Sequence, residues 1–191
     1  MGNELWQESA TTLAEMIRSG ASSSREIVEA HLERIESVNQ LVNAVVEVRP
    51  DEVRREADAA DAAVKAGAPL GPLHGVPFTI KINIDVAGYA TSEGTVALKD
   101  FMATEDAPTV ERMRAGGAVA LARTNMPDLG LRVNTVSALH GATHNPWRHG
   151  LTAGGSSGGE AAAIASGMSP IGLGNDIGGS LRNPAYACGI A

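Results

Sequence analysis

Residues 76–86 alternate strictly between apolar and polar side chains, and this stretch constrains the fold more than any other part of the sequence. Every even-numbered position is apolar, whereas the odd-numbered positions from 79 onward are Thr79, Lys81, Asn83 and Asp85. Successive side chains of a strand point to opposite faces of a sheet, so a period of two predicts a strand with one apolar and one polar face. Such a strand needs neighbouring strands and a layer that covers its apolar face.

Helix signals and strand signals alternate along the rest of the chain. Apolar spacing and capping residues predict helices over residues 11–18, over a segment that begins near Ser22, Ser23 or Ser24 and includes Ile35, and over residues 50–65, 108–115 and 160–166. Short apolar runs predict further strands over residues 42–48, 118–122 and 170–174. This alternation indicates an α/β fold with a β-sheet core flanked by helices.

The composition suits a globular enzyme and argues against a nucleic-acid-binding or membrane protein. The 191 residues have a formal net charge of -7, so the chain lacks the basic surface that binds nucleic acid. The longest uncharged apolar stretch, residues 161–175, is shorter than the roughly 18 residues of a membrane-spanning helix. The first residues do not follow the basic-then-apolar pattern of a secretory signal, so we expect a cytoplasmic protein. Cys188 is the single cysteine, and we expect it to be a small buried hydrophobe.

Two glycine- and serine-rich turns carry the strongest motif signal. They are GGSSGG at residues 154–159 and DIGGS at residues 176–180. Neither ends in the Gly-Lys-Ser/Thr of a phosphate-binding P-loop, and the glycine spacing does not fit a dinucleotide fingerprint. The first turn matches the GxSxG elbow of α/β-hydrolases, but that fold places its histidine after the serine, and all five histidines here precede Ser156.

Two interpretations of the turns remain open at this point. Glycine and serine supply flexibility, and Ser156 or Ser157 would then be an ordinary N-cap of the helix that follows. Alternatively, the two turns, each at the start of a predicted helix, converge and expose backbone N–H groups that stabilise an oxyanion. The presence of a second turn, one helix and one strand after the first, favours the oxyanion site.

The chain resembles the amidase signature family over nearly its whole length. The motifs that carry the resemblance are GGSSGGEAAA at 154–163, GNDIGGSLRNPA at 174–185, GVPF at 75–78 leading to Lys81, RTN at 123–125, and GATHNPW at 141–147. The resemblance implies an amidase signature fold, with a mixed β-sheet core flanked by helices. It also implies a serine hydrolase that cuts carbon–nitrogen bonds other than peptide bonds through a Ser-Ser-Lys triad and an acyl-enzyme.

The family's functional residues map onto positions of this sequence. By resemblance, Ser180 is the nucleophile, Ser156 is the bridging serine whose peptide bond is cis in relatives, and Lys81 is the base. The resemblance also implies an oxyanion hole made of backbone N–H groups and three supporting side chains: Ile177, Gly178, Gly179 and Ser180 for the hole, and Ser157, Asp176 and Arg182 for support.

A lysine acts as a base only when it is neutral. Lowering its pKa from about 10.4 to about 7 or 8 requires destabilising the ammonium by about 4 kcal/mol. Burial near Phe78, Ile80 and Ile82 would supply part of that free energy. The alternative is an ordinary solvated lysine on the polar face of the strand, with Ser180 as a simple helix cap.

The sequence departs from the family in two respects. Ile82 follows the lysine where relatives usually have an acidic residue, and relatives are much longer. We therefore expect an N-terminal fragment: a single incomplete domain over residues 1–191, with helices over 8–38 that pack on an α/β core over 42–191. The later strands and pocket walls of relatives would be missing, so we expect the isolated fragment to be inactive or to aggregate.

The resemblance implies no cofactor, a small-molecule amide as substrate, no direct nucleic-acid or membrane partner, and allows a homodimer. A metal site is not expected, because the sequence around His140, His144 and His149 denies them a shared helix face. Two alternatives remain open. One is the related component of a tRNA-dependent amidotransferase, and the other is a catalytically silent fragment.

Overall fold

The computed structural model describes residues 4–191. Within these residues, six helices, numbered α1 to α6, cover Ala10–Ser19, Ser24–Val42, Pro50–Lys65, Pro108–Ala115, Gly158–Ala165 and Arg182–Cys188. The same part of the chain has six strands, numbered β1 to β6, which cover Val45–Glu47, Pro77–Lys81, Val119–Thr124, Val136–Ser137, Gly141–Ala142 and Gly172–Leu173. Short 3-10 helices lie at Leu5–Gln7, Val96–Leu98 and Asp128–Gly130.

The central sheet is mixed, with the strand order β1-β3-β2-β6. β2 runs parallel to both of its neighbours, β3 and β6, whereas β1 is antiparallel to β3. The register places Lys81 opposite Thr124 on β3, and Thr79 opposite Gly172 on β6. The mixed sheet and its flanking helices confirm the predicted fold class.

Both faces of the sheet are covered. One apolar cluster joins α2 and α5 to β1 and β3, with Val28, Leu121 and Ala162 among its buried members. A second cluster covers the other face, where Phe78 and Ile80 of β2 pack with Val110 of α4. All five residues of β2 are buried. The strand therefore has no solvated face, because parallel strands in such folds are covered on both sides.

Local sequence signals account for several helix ends. Ser23, one of three predicted caps, begins α2 through a capping box, in which its hydroxyl accepts from the Glu26 N–H and the Glu26 carboxylate accepts from the Ser23 N–H. Gly20 ends α1 in the left-handed conformation, which glycine adopts without steric cost. Pro50 and Pro108 begin α3 and α4, where a missing N–H costs nothing.

The structure corrects several predicted boundaries; β3, predicted over residues 118–122, extends to Thr124, and α5 begins at Gly158 and not at residue 160. β2 ends at Lys81 and not at residue 86, because the chain turns there and the Ile84 N–H donates to the Lys81 carbonyl at 3.0 Å. The even-numbered side chains beyond it stay buried, so the burial alternation outlasts the strand. Val42 belongs to α2, which leaves β1 only three residues, and β6 is shorter than predicted. β4 and β5, for which no strand signal was identified in the sequence, form a two-stranded antiparallel ribbon.

Candidate active site

Lys81 lies at the end of β2, and its side chain is completely buried. Its Nζ donates to Ser156 Oγ and to Asn175 Oδ1, each at 2.8 Å. Thr79 and Lys81 share one face of β2, which α5 covers, so the polar face of the predicted strand points into the protein. The alternative of a solvated lysine is wrong.

Burial sets the ionisation of Lys81. Loss of hydration lowers its pKa to about 8, and the negative charges of Glu160 and Asp176 oppose part of that shift. A pKa near 8 leaves a useful fraction of neutral amine close to neutral pH.

Glu160 is a second buried ionisable group on the same side of the sheet. It lies in the first turn of α5, and its two carboxylate oxygens accept from the hydroxyls of Thr79 on β2 and Thr124 on β3, the latter at 2.6 Å. Burial raises the pKa of Glu160 to about 7, although both hydroxyls and the charges of Lys81 and Arg123 favour the carboxylate.

The first glycine-serine turn holds Ser156 against the end of β2. The Gly155–Ser156 peptide bond is cis, and Ser156 is buried. Ser157 precedes α5, but its hydroxyl does not cap the helix; instead Ser157 Oγ donates to the Asn175 carbonyl at 3.3 Å. The interpretation of Ser157 as an ordinary N-cap is therefore wrong.

Asp176 organises the second turn. Its carboxylate accepts from the backbone N–H groups of Gly179 at 2.6 Å, Leu181 at 3.1 Å and Arg182 at 3.3 Å. The Arg182 guanidinium also donates to it, with Nε 3.0 Å from Oδ2. The Arg182 side chain and these N–H groups hold the pKa of Asp176 well below its usual range. The carboxylate thus fixes the backbone on both sides of Ser180.

The two turns meet at one cleft. The Ser157 N–H donates to the Ser180 carbonyl at 3.0 Å, which joins the turns directly. A cleft of about 340 Å³ lies beside them, and Ser156, Ser180 and Gly178 line it. A larger groove of about 710 Å³ between α1, α2 and α3 contains none of the predicted site residues.

Residues 177–180 of the second turn line this cleft. Within residues 4–191, no protein acceptor binds the N–H groups of Ile177, Gly178 or Ser180. The Gly179 N–H, predicted as a fourth donor, is already bound to Asp176. Ser180 does not cap α6, whose N-cap position is Leu181.

Sequence reasoning missed three polar residues next to Lys81. Asn83 and Asn175 pair with each other at the cleft, and Glu160 is buried between α5 and the sheet. The sequence contained a signal that could have identified Glu160, because it is the only charged residue between positions 153 and 175 and lies at the start of a helix of small apolar residues. Asn83 also had one, as it lies two residues after Lys81 on the predicted polar face.

Metal ligands do not gather in the described part of the chain. No group of three or more His, Cys, Asp or Glu side chains there is placed to hold a metal ion. His144 and His149 stack with ring centroids 4.1 Å apart. Cys188 is buried, as predicted. Over residues 4–191, the structure contains no helix with the length and apolarity needed to cross a bilayer.

Comparison with known proteins identifies related enzymes. The chain is 48% identical over 187 residues to an indoleacetamide hydrolase of Bradyrhizobium diazoefficiens, covering 98% of this chain and 36% of the relative. It is 42% identical to one component of a glutamyl-tRNA(Gln) amidotransferase of Synechococcus, with coverage of 92% and 36%. The chain thus spans just over a third of the length of these curated relatives.

Solved structures agree with the sequence relatives. A fatty acid amide hydrolase superimposes with a TM-score of 0.92 at 34% identity, over 97% of this chain and 33% of that one. The family model described as Amidase matches residues 26–191, which includes every predicted site residue. The chain therefore belongs to the Amidase family.

Proposed function

We propose that the whole protein hydrolyses a carboxylic acid amide to the acid and ammonia or an amine, with Ser180 as nucleophile, Ser156 as proton relay and Lys81 as base. The observation that carries this proposal is the 2.8 Å contact between Lys81 Nζ and Ser156 Oγ beside a cleft that Ser180 also lines. Because the chain spans just over a third of its relatives, the activity is assigned to the whole protein and not to residues 1–191 alone.

Acylation begins with two proton transfers. The neutral Lys81 amine accepts the proton of the Ser156 hydroxyl as Ser156 accepts the proton of the Ser180 hydroxyl, since one hydroxyl both donates and accepts. Ser180 Oγ then forms a bond to the carbonyl carbon of the substrate. The carbonyl oxygen becomes an oxyanion, and Lys81 becomes an ammonium.

Backbone N–H groups of the second turn would stabilise that oxyanion. The proposed donors are those of Ile177, Gly178 and Ser180, each worth about 3 kcal/mol of barrier when its geometry is right. Gly179 would have to give up its bond to Asp176 in order to take part. In this proposal Asp176, Ser157 and Arg182 keep the turn in shape.

The amine leaves only after it receives a proton. The Lys81 ammonium returns one through Ser156 to the substrate nitrogen, the carbon–nitrogen bond breaks, and the acyl group stays on Ser180. Water then attacks the ester carbonyl while the same relay takes its proton. Collapse of that adduct returns the proton to Ser180 and releases the acid.

The names of the relatives fit this reaction class. The proposed substrate is a small-molecule amide, as the names indoleacetamide hydrolase and fatty acid amide hydrolase indicate for those proteins. Because one relative is a component of a glutamyl-tRNA(Gln) amidotransferase, a role as such a component is the second candidate function. The test below distinguishes the two functions. The cytoplasmic location, the homodimer and the division into helices 8–38 and core 42–191 stay predictions.

The test measures acid release from a panel of simple amides by the whole protein without tRNA or any partner protein. We expect hydrolysis, and we expect Ser180→Ala to lower kcat about 10⁴-fold or more, because the nucleophile is lost. Ser19→Ala is the matched control, since Ser19 is exposed on α1. Full hydrolysis by Ser180→Ala would exclude this mechanism. Activity only with a partner protein and aminoacyl-tRNA would favour the amidotransferase.

A further inference from the structure

Asn175 connects three parts of the site. Its side-chain oxygen accepts from Lys81 Nζ at 2.8 Å, its backbone carbonyl accepts from Ser157 Oγ at 3.3 Å, and its side-chain nitrogen donates to Asn83 Oδ1 at 3.2 Å. These partners come from the end of β2, from the first turn, and from the segment just after β2. Asn175 itself begins the turn that carries Ser180.

The chemistry of the contact with Lys81 constrains the direction of proton transfer. An amide carbonyl oxygen only accepts hydrogen bonds, so Lys81 must donate to Asn175 in both of its protonation states. A neutral amine has two N–H bonds and one lone pair. With one N–H directed at Asn175, the lone pair is free to face the other close partner, the Ser156 hydroxyl.

Asn83 determines which end of the Asn175 amide faces the lysine. The two amides bond reciprocally, because Asn83 Nδ2 also donates to Asn175 Oδ1 at 3.4 Å. If the Asn175 amide rotated by half a turn, its NH₂ group would oppose the Lys81 ammonium donor to donor, and it would donate to the lone pair of the neutral amine, which the transfer from Ser156 needs. The Asn83 pairing disfavours that rotation.

We propose that Asn175 is a positioning residue for Lys81, which directs the lone pair of the amine at Ser156, and that Asn83 fixes the orientation of the Asn175 amide. The inference rests on the proposed function, since it concerns the same base. Neither residue exchanges a proton in the proposed reaction; Asn175 bonds to the amine of the base, and Asn83 bonds to Asn175.

The other charges around Lys81 come from three elements. Glu160 of α5 and Asp176 of the second turn favour the ammonium. Arg123 of β3 lies on the opposite side of the strand end, and its Nη2 donates to the Ile84 carbonyl at 2.8 Å and to the Lys81 carbonyl at 3.5 Å. None of these three groups bonds to the amine, so Asn175 and Ser156 are its direct partners among the described residues.

The experiment follows the rate at which a fluorophosphonate probe labels Ser180 in the whole protein as a function of pH. In the wild type we expect this rate to rise with pH as Lys81 loses its proton, with a midpoint near 8. Asn175→Asp puts a carboxylate against the ammonium and stabilises it. We expect the midpoint to rise by about one unit or more, so that labelling well below the midpoint slows about tenfold.

Asn175→Leu should shift the midpoint of the labelling rate in the opposite direction. It removes an acceptor that favours the ammonium, so we expect the midpoint to fall, and the plateau rate at high pH to fall as well because the amine loses its orientation. Asn83→Leu should lower the plateau less, since the Asn175 oxygen is still present. Asn134→Asp is the control, because Asn134 is exposed and makes no bond to Lys81.

If Asn175 had only a structural role, both Asn175 variants would have a lower plateau rate and the same midpoint as the wild type. That result would overturn this inference but not the proposed function. Failure of the wild type to label, or equal labelling of Ser180→Ala, would overturn the proposed function and the inference with it. Asn175→Asp keeps the size and polarity of an exposed side chain, so the test does not depend on how the leucine variants fold.

Discussion

Lys81 and Glu160 carry opposite charges in the same interior, and burial acts on both. Burial favours the neutral form of each, which lowers the pKa of Lys81 to about 8 and raises that of Glu160 to about 7. Glu160 lies beneath the sheet with a threonine hydroxyl on each oxygen, so its carboxylate is compensated by hydrogen bonds and not by a paired cation. The titration of Glu160 should therefore make the free energy of unfolding depend on pH.

The first prediction at the residue scale concerns Glu160→Gln. Between about pH 4.5 and pH 7 the folded state keeps a proton on Glu160 that the unfolded state has released, so this residue makes the free energy of unfolding fall as pH rises. The full effect is about 3 kcal/mol. Gln keeps the size of the side chain and one acceptor for a threonine hydroxyl, so this part of the slope should disappear.

The measurement is the free energy of urea unfolding of the whole protein at several pH values across that window. Glu33→Gln provides the control, because Glu33 is an exposed carboxylate on α2 and should leave the slope intact. An unchanged slope in Glu160→Gln would mean that Glu160 titrates alike in the folded and unfolded states.

At the scale of elements, α5 is the helix that fixes the site against the sheet. It follows the turn that contains Ser156, and its first residues are glycines, which allow it to approach the backbone at the end of β3. The Gly159 N–H donates to the Asn125 carbonyl at 3.2 Å, and a Cβ atom at Gly159 would lie 2.4 Å from both the nitrogen and the oxygen of Asn125. The close approach therefore depends on the missing side chain.

We accordingly expect Gly159→Ala to destabilise the protein although alanine favours helices. Forcing a methyl group against buried backbone costs about 3 kcal/mol, which exceeds the roughly 1 kcal/mol that alanine gains over glycine in a helix. Displacement of α5 should also slow labelling of Ser180, because Ser156 moves with it. Urea unfolding of Gly159→Ala and of Gly178→Ala, where nothing lies within 4 Å of the added Cβ, provides the comparison. Equal stability of the two variants would contradict the close packing of α5.

The sequence predicted most of the elements of this fold, for identifiable reasons. α3 and α4 have the predicted bounds, since a proline marks each start and a glycine follows each end within two residues. The predicted end of β2 was wrong because side-chain burial continues to alternate after the hydrogen bonds to the neighbouring strands stop. The apolar pattern in the sequence therefore predicts a strand that is too long. The ribbon of β4 and β5 has two residues per strand, too few to show a period.

The site was predictable only in part. The motifs predicted Lys81, Ser156 and Ser180 as site residues. The structure brings the two glycine-serine turns together, as the presence of two such turns had indicated. The pairing of Asn175 with Asn83 was not predictable, because 92 positions separate two amides whose orientation is decided by tertiary contact. The partners of Glu160 likewise depend on the register of β2 and β3 beneath α5.

At the scale of the whole molecule, the rim of the cleft has exposed apolar side chains. Leu131 and Ile177 line the cleft and are 81% and 103% exposed, and Leu129 and Val133 lie beside them. A contiguous apolar patch on a protein surface marks a region that another surface covers. The net charge of -7 opposes association between copies only weakly at physiological ionic strength, because exposed charges are screened beyond about 8 Å.

The last prediction follows from that rim. A polypeptide of residues 1–191 alone should self-associate and increase the fluorescence of anilinonaphthalene sulfonate, since the patch has nothing to cover it. Replacing Leu131 and Ile177 together by asparagine should reduce both signals. Leu41→Asn should not, because Leu41 is a single exposed side chain on α2 away from the cleft. Sedimentation velocity measures the association. A polypeptide that stays monomeric and does not increase the fluorescence of the dye would show that the rim does not drive self-association.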